Sequence, residues 1–194
     1  MRTLTYFIGT SLDGFIAEPD GGLGMFAVSP ELLEFVTTQY PETLPGQVRA
    51  QLGLSGPGKH FDTIVQGRAS YALALDAGVT SPYPHLRQYV VSSTLAADID
   101  PDVTVIPSDP LGAIRELKQA DGGGIYLAGG GMLAGQLLAE IDELVVKVYP
   151  VVAGGGVPLF GGGFAPVGLT PARQQVLGDG TAVLGYRLKR PGTS

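Results

Sequence analysis

Three junctions in this 194-residue chain carry residue types that could hold an anion. Gly129-Gly130-Gly131 follows the apolar run Ile125 to Ala128 and leads, through Met132, into a helical pattern with Leu133 and Leu137 on one face. Strand, glycine turn and helix start expose bare backbone N–H groups to which a phosphate or a flat ring can come close. Gly67-Arg68-Ala69-Ser70 repeats that layout after the run Phe61 to Gln66, and adds a guanidinium able to grip phosphate with two parallel hydrogen bonds. Ser92-Ser93-Thr94 ends a third apolar run with three hydroxyls in succession. Each has a simpler reading, respectively a tight connection, a solvated helix start and a plain hydroxyl turn.

Taken together, the junctions fall at successive strand ends, the place where open α/β sheets bind ligands. The glycine run lacks the G-x-G-x-x-G spacing of a dinucleotide fingerprint, and no acidic residue stands where a ribose would need one. An arginine and hydroxyls in that position suit a 2′-phosphate, hence NADPH over NADH. Gly53 to His60 reads G-x-x-x-x-G-K-H, but His60 replaces the Mg²⁺-holding hydroxyl, Pro57 interrupts the loop and no strand precedes it. A nucleoside triphosphatase is therefore not expected.

The acidic candidates for proton supply are Asp13 and Glu31. Asp13 also reads as an Asp-Gly turn residue, and Glu31 as a partner of a helix dipole. Phe15, Phe26 and Phe35 are candidate walls for a substrate ring, with core packing the competing role for Phe35. Lys147 lies on a strand and could face substrate or solvent.

The elements that must position these residues alternate along the chain. Arg2 to Thr10 reads as a first strand. Ser29, Pro30 and Glu31 open a helix with an apolar stripe of Leu32, Leu33, Phe35 and Val36. Residues 41–60 read as a long loop with one helical turn. Strands are expected at 61–66, 88–92, 103–106, 125–128 and 144–149, and helices at 68–76, from Asp109-Pro110, and at 131–138. A hairpin across Gly178-Asp179-Gly180 closes the chain. This order predicts an α/β fold: a mixed sheet with helices on both faces.

Composition narrows the function classes. The hydrophobic fraction is 44% and the charged fraction 15%, as in a compact globule large enough to bury a core. Twelve Lys plus Arg against eighteen Asp plus Glu give a net charge of −6, with no basic cluster to bind nucleic acid. Cysteine is absent, and His60 and His85 have no metal-ligand spacing, so no metal is expected. Residues 151–170 carry no charge, yet seven glycines and two prolines make them poor material for a membrane helix. No leader is evident at the start, and a cytoplasmic protein is expected.

The motifs Ser11-Leu12-Asp13-Gly14-Phe15-Ile16-Ala17, Gly67-Arg68-Ala69-Ser70-Tyr71, Ser92-Ser93-Thr94, Gly129 to Gly131 and Pro150 to Phe160 occur in the order of the dihydrofolate-reductase-like superfamily. The chain most resembles the C-terminal reductase domain of the bifunctional riboflavin-biosynthesis deaminase–reductase. That resemblance spans nearly the whole chain and implies one domain over 1–194, with a mostly parallel eight-stranded sheet and NADPH across its strand ends. It implies that Arg68, Ser92, Ser93 and Thr94 take the 2′-phosphate. It further implies that Gly67, Ala69, Ser70 and Gly129 to Met132 cradle the pyrophosphate, and that Ile16 and Ala17 lie by the nicotinamide. Homodimers are common in such domains. Phe15 stands where riboflavin reductases usually carry Lys or Arg for a substrate bearing a phosphate. Against dihydrofolate reductases, the catalytic acid falls near Glu31 and the usual tryptophan is missing. The activities implied are reduction of a ribosylaminopyrimidine or of a pterin, with a non-enzymatic nucleotide-binding module as the alternative.

Overall fold

The computed structural model describes residues 1–189. Its central element is β1 (Leu4–Thr10), whose alternate residues feed opposite faces of one sheet. Leu4 and Tyr6 enter a core with Ile125, Leu127, Leu144 and Val146, which the helices α4 (Pro110–Gln119) and α5 (Gly131–Gln136) cover through Ile114, Leu133 and Ala134. Phe7 enters the other core, with Ile64, Tyr126 and Val145, under α1 (Pro30–Gln39) and its Leu32, Phe35 and Val36. A period of two on strands buried from both sides explains why these runs are almost continuously apolar. Each fully buried Leu or Ile contributes about 1.5–3 kcal/mol.

The sheet has eight strands in the order β5-β4-β3-β6-β1-β7-β10-β9. Here β3 is Phe61–Gly67, β4 Arg87–Val91, β5 Val103–Ile106, β6 Gly124–Leu127, β7 Glu143–Val148, β9 Leu169–Val176 and β10 Ala182–Leu188. The six strands from β5 to β7 run parallel, and β10 and β9 pair antiparallel at the edge. The mixed sheet, its helices on both faces and the closing hairpin agree with the sequence expectation. Two helix starts do as well: Ser29 Oγ accepts from Leu32 N at 3.0 Å, and an Asp109 carboxylate oxygen from Gly112 N at 3.0 Å.

Two regions differ from the sequence reading. Residues 41–60 are loop and turn over more than half their length, as expected, but hold more helix than the single turn read from sequence. A short 3₁₀ turn at Pro41–Thr43 precedes α2 (Gly46–Gln51), and Glu42 is fully buried with its carboxylate accepting from His60 N and Phe61 N. The Ser11–Ala17 motif forms β2 (Phe15–Ala17), which pairs antiparallel with β8 (Val157–Pro158) in a second, two-stranded sheet. Partners about 140 residues apart in sequence leave no local signal for that ribbon. Among the described residues no helix is long and apolar enough to cross a membrane, and no group of His, Asp or Glu could hold a metal ion.

Candidate functional site

The C-terminal ends of β1, β3, β6 and β7 open into a cleft of about 370 Å³, within the range of small-molecule sites. Ile16 and Ala17 form part of its wall, held there by the β2–β8 ribbon. That ribbon is tied down through Asp13. Its carboxylate accepts from Ala153 N at 2.9 Å and Gly154 N at 2.7 Å.

One rim of the cleft is built from backbone. Gly67 is the N-cap of α3 (Arg68–Asp76), which places Ala69 and Ser70 on the rim and leaves Arg68 exposed without an ion pair among the described residues. Next to it, packed against Gly67 and Ser70, Gly129 (φ 125°) and Gly130 (φ 91°) line the cleft in conformations that side chains rarely adopt. Their N–H groups have no acceptor among the described residues. Gly131 serves a different purpose: a Cβ there would land on the Pro158 carbonyl oxygen, and Gly161 N donates to Gly131 O at 2.7 Å. The missing side chain of Gly131 is thus required by packing, independently of any ligand. Met132 is exposed at the start of α5.

The three hydroxyls divide in the same way. Ser92 is buried and caps its own turn, its Oγ accepting from Thr94 N at 3.2 Å and Leu95 N at 3.0 Å. Ser93 and Thr94 are exposed.

The floor of the cleft belongs to side chains from distant elements. Lys147, on β7, is the one charged residue lining it among the described residues. Its ammonium lies 4.5 Å from the centre of the Phe7 ring and has no carboxylate partner among the described residues. Burial lowers its pKa to about 8. Tyr149 packs against Phe26 with the rings tilted by 40° and 4.6 Å between their centres, and both line the cleft. Gly9, paired with Lys147 across the sheet, makes room: a Cβ there would meet the Tyr149 ring at 2.9 Å. Gln66 is 3% exposed, lines the cleft, and has a side-chain nitrogen with no hydrogen-bond partner among the described residues. Burial also pushes the Tyr83 phenol up to about 12 and raises that of Tyr126, so both stay neutral O–H groups.

The acids and rings expected from sequence are distributed otherwise. Asp13 is exposed and outside the cleft lining, and its pKa falls to about 2 through hydrogen bonds from the Ser11 hydroxyl and from Ala153 N. A carboxylate held ionised by ribbon contacts has no proton to give at neutral pH. Glu31 is exposed in the first turn of α1, beside the Gly178 turn and away from the cleft. Phe35 is core, with the Arg173 guanidinium 4.9 Å from its ring centre. Phe15 packs in the ribbon outside the cleft lining, so of the three rings only Phe26 reaches the cleft.

Residues 2–183 match the RibD C-terminal domain. The chain belongs to that family. It is 31% identical over 161 residues to the uncharacterized protein YwjB of Bacillus subtilis (strain 168), covering 82% of this chain and 83% of that one. Its fold is similar to that of a protein assigned to riboflavin biosynthesis from Shewanella sp. PV-4, at a TM-score of 0.71 and 26% identity, over 98% of this chain and 100% of the other. It is also similar to dihydrofolate reductase from Enterococcus faecalis, complexed with NADP(H) and RAB-propyl. There the TM-score is 0.62 at 15% identity, over 96% of each chain, which speaks to the fold alone. The family is one of riboflavin-pathway-type reductases, and the eight-stranded architecture is dihydrofolate-reductase-like.

Proposed function

We propose that this chain is an NADPH-dependent reductase of a C=N or C=O bond in a small heterocyclic substrate. In reaction type it resembles 5-amino-6-(5-phosphoribosylamino)uracil reductase. The observation that carries this reading is the division of one cleft into two chemistries. The Gly129 and Gly130 N–H groups, without acceptors among the described residues, line its rim next to the helix start that carries the exposed Arg68, and a single cation, Lys147, stands on its floor.

The residues present fit the cofactor. Arg68, Ser93 and Thr94 would hold the 2′-phosphate. Ala69, Ser70, Gly129 and Gly130 would face the pyrophosphate through their backbone, and Ile16 and Ala17 would flank the nicotinamide. Bound NADPH supplies a hydride, two electrons with their proton, and is left as NADP⁺. The substrate heteroatom then requires one further proton, and Lys147 is the group on the floor that has one. Its ammonium gives that proton up to the nitrogen or oxygen, and the neutral amine regains it from water. With a pKa near 8 it is mostly charged at pH 7 yet a far stronger acid than an ordinary lysine. The Phe7 ring holds it in place without neutralising it. Reduction of a pterin in the manner of dihydrofolate reductase asks for a carboxylate, and none lines the cleft.

The reading includes one reductase domain over 1–194, acting as a cytoplasmic homodimer, which light scattering on the purified protein checks. Fluorescence titration should show NADPH binding tighter than NADH. NADPH should then be oxidised in the presence of 5-amino-6-(5-phosphoribosylamino)uracil, dihydrofolate or another member of a panel of cyclic imines and ketones. Absence of NADPH binding overturns the proposal. Binding without hydride transfer to any member favours the non-enzymatic nucleotide-binding module.

A further inference from the structure

Beside the cleft lies a second cavity of about 670 Å³, between α2, α3 and the segment joining α3 to β4. The two are continuous: Leu23, Gln66, Ser70, Leu73 and Tyr83 line both. Its remaining walls are Pro45 and Val48 from the α2 side, Ala74 and Ala77 from α3, and Pro82 and Pro84 from the connection, among others. Among the described residues no Lys, Arg, His, Asp or Glu lines it. Arg49, the nearby cation of α2, is buried elsewhere, donating to Gly56 O at 3.1 Å.

We infer that this groove is the second half of the substrate site and receives an uncharged, apolar arm, so that the substrate is a non-phosphorylated carbonyl or imine compound. The inference rests on the reductase reading of the adjoining cleft and narrows it. Three observations carry it. The groove opens onto the cleft floor, so a molecule reacting there can extend along α3 while staying against protein. Gln66 stands at the junction, buried, with an unpartnered N–H donor, and Lys147 lines the same floor. An oxygen or nitrogen acceptor on the reacting head would satisfy both. Beyond that junction the lining has no charge and is mostly aliphatic. A phosphate seated there would lose its hydration with no cation to replace it, whereas an alkyl or aryl arm would gain by burial.

The test uses two probes that share a ring-carbonyl head and differ in the arm, 1-hexyluracil and uridine 5′-phosphate. Calorimetric titration of the purified full chain, with and without saturating NADPH, should show 1-hexyluracil binding at least about tenfold tighter, equivalent to burying about two methylenes. Ala74→Phe, which fills the groove, should remove that preference while NADPH still binds with its original affinity. The wild-type comparison stands by itself if that variant does not fold. Equal affinity for the two probes, tighter binding of uridine 5′-phosphate, or binding of neither overturns the inference. NADPH titration reports separately on the reductase reading. A chain that prefers 1-hexyluracil but binds no NADPH keeps the apolar groove and loses the hydride donor.

Discussion

The rim and the floor of the cleft are built on different principles. The rim, where Ala69, Ser70, Gly129 and Gly130 line the cleft, is made from backbone turned by local sequence, and its useful groups are N–H donors, with the exposed Arg68 next to them at the start of α3. The floor is made from side chains that meet only in three dimensions: Lys147 from β7, Gln66 from β3, Phe26 from a loop and Tyr83 from beyond α3. A backbone cradle tolerates many ligands that share a phosphate. A floor with one cation and an apolar annex selects among them. The difference teaches that the cofactor class and the substrate class of this chain are separate questions, answered by separate elements.

Substitutions that act on one half and spare the other test this division. The largest effect is expected for Lys147→Met, which should lower turnover of the best panel substrate by about 10²–10⁴ while NADPH affinity holds. In the wild type, turnover should fall as pH rises through about 8, because the acid must be protonated to act. Pulse labelling of the free enzyme with trinitrobenzenesulfonate checks the same group without turnover, since an amine of that pKa reacts well below the pH at which surface lysines do. Loss of both activity and NADPH binding in Lys147→Met would erase the distinction between rim and floor.

Gly131→Ala comes next, acting on stability. A methyl directed at the Pro158 carbonyl should cost about 3 kcal/mol in urea unfolding, with or without cofactor. A variant of unchanged stability that had lost NADPH binding would return Gly131 to the rim as a ligand-contacting residue. Arg68→Ala should weaken NADPH by about ten- to a hundredfold and leave NADH unchanged, as expected for one charge-assisted phosphate contact. Equal loss for both cofactors would move Arg68 from the 2′-phosphate to a general electrostatic role.

The smallest effect is expected for Asp13. Its folded pKa of about 2 lies below the ordinary 3.8, so its contribution to stability is complete above the unfolded value and is lost as pH falls towards 2. Asp13→Asn should flatten the acid limb of stability between those values and loosen the β2–β8 ribbon. It should leave the pH profile of turnover near 8 unchanged. A shift of that upper limb would make Asp13 part of the proton path after all.

The frame of this protein is written in patterns along the chain. Apolar runs with turn chemistry between them produce β1, β3, β6 and β7, capping residues such as Ser29 and Asp109 start the helices, and glycines mark where the rim bends. These are interactions between near neighbours, so they leave a pattern along the chain. The Ser11–Ala17 motif was legible too, but not its partner strand at 157–158, nor that its aspartate clamps residues 153 and 154. Which charged group reaches the cleft is settled by packing between distant strands. Asp13 and Glu31 are near it in sequence order and exposed in space, and Lys147, on a strand with no motif around it, stands on the floor. The physical reason is that a strand position fixes a face but not what the face meets. Whether Lys147 met solvent, a carboxylate or a ring depended on Phe7 and on Gly9 leaving room for Tyr149, both on a strand more than 130 residues away.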